Sequence, residues 1–127
     1  MRLERAHAAW ICARARGYAV SALYLADASQ MVVDVLSNDD QIAAAASAWA
    51  VDVKVAAATS DKAAKDVRMT MNAMLDGAVS VSSAESSMEK DCDLAASAAD
   101  DAALAARACF MVIGGVDPLP FLAGGEE

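Results

Sequence analysis

The chain has 127 residues, 33 of them alanine and only 5% aromatic, and it carries a formal net charge of −8. That length suits one domain rather than two, and 57% hydrophobic residues exclude a disordered chain. The acidic balance argues against nucleic acid or an anionic membrane surface as partner, because both select cationic patches.

Alanine is the best helix former and buries little area. The composition therefore predicts helices that pack by close approach, by many contacts, or by sharing a core with another subunit.

Residues 3 to 36 contain no proline and one glycine. Leu3, His7, Trp10 and Ala13 stand at helical spacing. Arg14 and Arg16 suit a helix C-terminus, and Gly17 can take the left-handed cap. Val20, Tyr24, Ala28, Met31 and Val35 form a second stripe, with steps of four, four, three and four. Either two helices meet at Gly17 or one runs through it at a cost of about 1 kcal/mol. The basic start, the run "GYAVSALYLA" and "ADA" at 26–28 also have the order of a signal peptide. Trp10 and Ile11 inside an overlong basic region speak against it. Cys12, Cys92 and Cys109 are an odd number without CxxC spacing, which fits reduced thiols. The expectation is a cytoplasmic protein, with export through segment 1–28 as the alternative.

"SNDDQ" at 37–41 reads as a stop and a start, with Asn38 and Gln41 placed as a capping box. The next stretch, 40–59, holds nine alanines. Ile42, Ala46, Trp49, Val53 and Ala56 make an a/d seam across it. Trp49, Val51, Val53 and Val55 alternate as a half-buried strand would. The helical pattern is longer and capped, so a helix is expected. Ser60 then reads as the cap of a further helix with the face Ala63, Val67, Met71 and Met74. Asp76-Gly77 reads as a turn, and 78–82 fits helix or strand. Ser82 with Glu85 and Ser86 with Glu89 match capping boxes. A last helix follows through Met88, Cys92, Ala95, Ala99, Ala102, Ala106, Cys109 and Ile113, and Gly114-Gly115 stops it. The tail contains Pro118 and Pro120 and cannot be helical through them.

Reactive chemistry is sparse. His7 is the one histidine, and no serine or cysteine pairs with it by pattern. Glu4 and His7 form a single E-x-x-H, of which a carboxylate-bridged di-iron bundle needs two, with two further glutamates. Met71 and Met74 offer soft thioethers, although methionines so spaced usually fill cores. These four residues are the metal candidates, and each reads better as core or solvated surface. Glu85, Glu89 and Asp93 form an acidic ridge on one helix face. No glycine-rich phosphate loop exists, and no cofactor is expected.

The expected fold is an all-α antiparallel four-helix bundle over residues 1–115, with five helices if the first divides at Gly17, and an extended tail over 116–127. Trp10, Tyr24, Met31, Trp49, Val53, Val67, Met71, Met74, Met88 and Leu104 are expected mostly inside. The expected function is non-enzymatic interaction or assembly, with a protein partner or a second copy of the chain. Ile42, Trp49, Val53, Ala99, Leu119, Phe121 and Leu122 are the expected contacts. The alternatives are a ferritin-like or soft-metal-binding bundle, and a helical protein bound to an apolar granule or membrane surface.

Overall fold

The computed structural model describes residues 2–36 and 40–114, with the backbone alone at 2, 3 and 40. The described residues form three helices and no strand: α1 (Arg2–Val35), α2 (Asp40–Leu75) and α3 (Val81–Gly114). The all-α expectation holds. The count of four does not, and the tail at 116–127 lies outside the described residues.

The expected break at Ser60 is absent. Between residues 40 and 75 there is no proline or glycine, so nothing interrupts the helical hydrogen-bond ladder. Ser60 lies mid-helix, fully buried, and its Oγ donates to the Ala95 carbonyl of α3 at 2.9 Å. A hydroxyl that looked like a cap instead joins two helices. The alternating residues 49–55 are helical as well. α1 likewise runs through Gly17 without a break.

The break that does occur is at Gly77. Its φ of +79° is the left-handed conformation that glycine adopts without strain. The Ala78 N–H bonds to the Ala73 carbonyl at 2.9 Å, and the Gly77 N–H bonds to the Met74 carbonyl at 3.1 Å. That pair is a Schellman ending. Ser80 then caps α3: its Oγ accepts from the Ser83 N–H at 3.2 Å. The expected boxes at Ser82 and Ser86 lie two and six residues after this cap, inside the helix.

The chain rises, descends and rises again. One core layer joins Ala8, Ile11 and Ala15 of α1 to Ala63, Val67 and Met74 of α2 and to Ala84, Met88, Cys92 and Ala95 of α3. A second joins Ala22, Leu25 and Ala26 to Val53 and Ala57 and to Ala102, Ala105 and Ala106. The third holds Ala46, Ala50 and Cys109, with Val33, Leu36 and Ile113 against them. Numbers rise along α1 and α3 while they fall along α2, so α2 is antiparallel to both neighbours.

Fifteen of the twenty-three buried hydrophobic residues described are alanine. This corrects the expected core. Val53, Val67, Met74 and Met88 are buried, and Met71 packs at the edge of the first layer. Trp10, Tyr24, Met31, Trp49 and Leu104 are exposed. The stripes that carry them are true helix faces, but they are the wrong faces. Close helices leave room for methyl groups and few larger ones, so the rings stand outside.

Two glycines give opposite expectations. A Cβ at Gly17 would meet nothing within 4 Å and the position is helical. Gly17→Ala therefore raises stability by about 1 kcal/mol in dilute protein. Gly77→Ala lowers it by about 1 kcal/mol, because alanine is strained at positive φ. Thermal melts followed by circular dichroism measure both, each shift amounting to about 4 °C.

Candidate functional site

Large apolar side chains on the outside are the dominant surface feature. On α1, Trp10, Tyr24 and Met31 are 57, 58 and 68% exposed. With Gly17 they occupy positions 10, 17, 24 and 31, one heptad apart, so they lie on one face. Val20 and Val35 beside them are exposed too. Trp10, Tyr24 and Met31 are three of the residues expected in the core. The α1 face that is buried carries Ala8, Ile11, Ala15, Ala19, Ala22, Leu25 and Ser29.

At its N-terminal end the outer face is ordered by a ladder. The Arg14 guanidinium lies 4.7 Å from the centre of the Trp10 ring and 5.9 Å from that of Tyr18. It also donates to the Tyr18 hydroxyl at 3.3 Å. That bond raises the Arg14 pKa further. His7 stacks on Trp10 at 6.4 Å between centroids, and its Nδ1 lies 3.0 Å from Glu85 Oε2 on α3. Glu89 is 3.9 Å from Nε2. His7 therefore pairs with the α3 acidic ridge rather than with Glu4. Among the described residues, no group of three or more His, Cys, Asp or Glu is arranged to hold a metal. Met71 and Met74 pack in the first core layer.

Two grooves flank α2. One, of about 460 Å³, runs between α2 and α3 and is lined by Trp49, Val55, Ala56, Ala98 and Leu104, with Asp52 and Asp101 among them. The other, about 350 Å³, lies between α1 and α2. Val20 and Leu23 line it together with Arg16, Lys65 and Arg68. α2 is long and apolar enough to cross a membrane by length and composition, with a mean hydropathy of 1.3 over its best window. Only 22% of that window is buried, so much of its apolar surface faces outward.

The expected contact residues divide. Trp49 stands at the α2–α3 groove. Val53 is fully buried in the second layer, and Ala99 packs against that layer. Ile42 is half-buried. Leu119, Phe121 and Leu122 lie outside the described residues. The exposed heptad of α1 was missed as a surface because apolar periodicity reports a face, not the side on which it packs. The run Ala8, Ile11, Ala15, Ala19, Ala22 was the available signal.

Two hydroxyls and two thiols, Ser29, Ser60, Cys92 and Cys109, sit inside. Ser60 is paired as described. Cys109 Sγ donates to the Ala46 carbonyl at 3.4 Å. Burial pushes the Cys109 thiol above its usual range, with the nearby Ser29 hydroxyl opposing. Burial also raises Cys92, against the pull of Arg14. The Ser29 hydroxyl is buried and makes no hydrogen bond of ordinary geometry; the sulfur beside it is a weak acceptor. Comparison with protein-family models, curated proteins and solved structures gives no match.

The two serines separate by sign. Ser60→Ala removes a satisfied buried bond and lowers the unfolding free energy by about 1 kcal/mol. Ser29→Ala removes an unsatisfied hydroxyl and raises it by about 1 kcal/mol. Denaturant titration of both variants measures the difference. The thiols sort by burial: a neutral alkylating reagent labels half-buried Cys12 first, while Cys92 and Cys109 react only on unfolding. Peptide mass mapping against denaturant concentration reads the order.

Proposed function

We propose that the protein is a non-enzymatic helical interaction or assembly protein. The observation that carries this reading is the inversion of side-chain size. Alanines fill the centre while Trp10, Tyr24, Met31, Trp49 and Leu104 face outward. Contiguous exposed apolar faces of this kind mark sites of association. The α1 outer face and the Trp49 groove are the contact surfaces. Ile42 stands one heptad before Trp49 on α2, Val53 and Ala99 support the groove from the core, and Leu119, Phe121 and Leu122 supply an apolar peptide for a partner. The partner is a protein, a second copy included.

The three thiols are free, which fits a reducing compartment. Segment 1–28 carries Ala8, Ile11, Ala15, Ala22, Leu25 and Ala26 of the core. That contribution supports its retention in the working protein.

The sparse burial of α2 favours a second reading, adsorption to an apolar granule or membrane surface. One preparation distinguishes the two. Assembly predicts a native mass above the monomer and a melting temperature that rises with concentration. Serine at Tyr24 and Met31 together removes both effects and leaves the helix content intact. A monomer whose melt ignores dilution overturns the assembly reading. Flotation with neutral phosphatidylcholine vesicles then supports the surface reading in its place.

A further inference from the structure

We infer that α1 pairs with α1 of a second copy, antiparallel and across a two-fold axis beside Val20 and Ser21, with Tyr24 of each copy seated over Gly17 of the other. The inference rests on the assembly reading and names its partner and its register.

Three features of α1 point to a copy of itself. The first is shape. Positions 10, 17, 24 and 31 carry Trp, Gly, Tyr and Met on one outer face. Gly17 is an open notch, since a Cβ built there meets nothing within 4 Å. A two-fold axis between residues 20 and 21 places position 24 opposite 17 and position 31 opposite 10. The tyrosine ring then fills the notch, and the Met31 thioether meets the Trp10 ring, a favourable sulfur–aromatic contact. An isologous interface requires this reciprocity, with each residue facing a complement that faces it in return.

The second feature is charge. The first half of α1 carries Arg2, Arg5, Arg14 and Arg16 against Glu4 alone; the second carries Asp27 and Asp34. A parallel pair would set like charges together. The antiparallel pair sets basic half over acidic half, and the same axis brings Arg16 beside Asp27 along one edge of the contact. Such complementarity fixes orientation and register. The overall charge of −8 makes this local dipole the means by which two acidic molecules approach.

The third feature is preorganisation. Arg14 already holds Trp10 and Tyr18 in one ladder, so less side-chain freedom is lost on contact. Val20, the residue nearest the axis, is exposed and meets its own copy.

The test is sedimentation equilibrium and native mass spectrometry of the full chain over a concentration series. Gly17→Leu fills the notch, and its Cβ meets nothing in the monomer, so the bundle still folds. It weakens the dimer about tenfold or more. Arg16→Asp and Asp27→Arg each weaken it, and the two together restore it. Helix content, read in parallel, stays at the wild-type level throughout. An assembly of unchanged affinity in Gly17→Leu and in both charge variants overturns the α1 pairing while the assembly reading stands. A wild-type chain that remains monomeric at every concentration overturns both.

Discussion

The structure depends on how closely the backbones of α2 and α3 approach. Two buried links show it. Ser60 reaches the Ala95 carbonyl, and Cys109 reaches the Ala46 carbonyl. Each is a short side chain touching the backbone of the facing helix. Ser60 stands fourteen residues after Ala46, and Ala95 fourteen before Cys109. The two helices thus hold one antiparallel register over two heptads. Between those links the buried side chains of both helices are alanines apart from Val53. The alanines at 46, 50, 57, 95, 98, 102, 105 and 106 are the condition for the links, and the links in turn fix which alanines meet.

That constraint sets the energetics. A methyl group removes little area from water, so each contact contributes less than a leucine would. Close packing compensates through dispersion among many atoms and through high helix propensity along all three rods. The larger buried side chains, Ile11, Met88, Val53 and Val67, are spread over the first and second layers, with Val53 in the second. The third layer is the leanest, with Ala46, Ala50 and Cys109 alone fully buried. There the thiol bond stands in for apolar volume.

Much of this was legible in the sequence and some was not, for definite reasons. Helix content followed from alanine and the scarcity of breakers, and the turn at Gly77 from Asp76-Gly77. Periodicity found the buried faces of α3 and of the second half of α2. It failed on sidedness, because the stripe of large residues on α1 was taken as core by the habit that large apolar residues are inside. When the facing helices are themselves alanine-lined, the small face is the one that fits. The helix count failed on Ser60, since a serine before an aspartate has the same local pattern whether it caps a helix or bonds across to a neighbour. His7 was read with Glu4 through spacing along one helix. The bundle pairs it with Glu85 across helices, a contact that depends on the relative placement of α1 and α3 and so has no signature in local spacing.

The same constraint carries through to the outside. With alanine filling most of the interior, Trp10, Tyr24, Met31, Trp49 and Leu104 stand at the surface. A surface residue with no task can be polar without loss of stability, and a tryptophan, tyrosine and methionine in water add an association liability. Their heptad spacing on α1, with one glycine among them, is the kind of order that packing against another helix produces. Among the described residues no helix faces that row. The arrangement makes physical sense as half of a contact, with an alanine core serving as the rigid support for the side chains displayed on it.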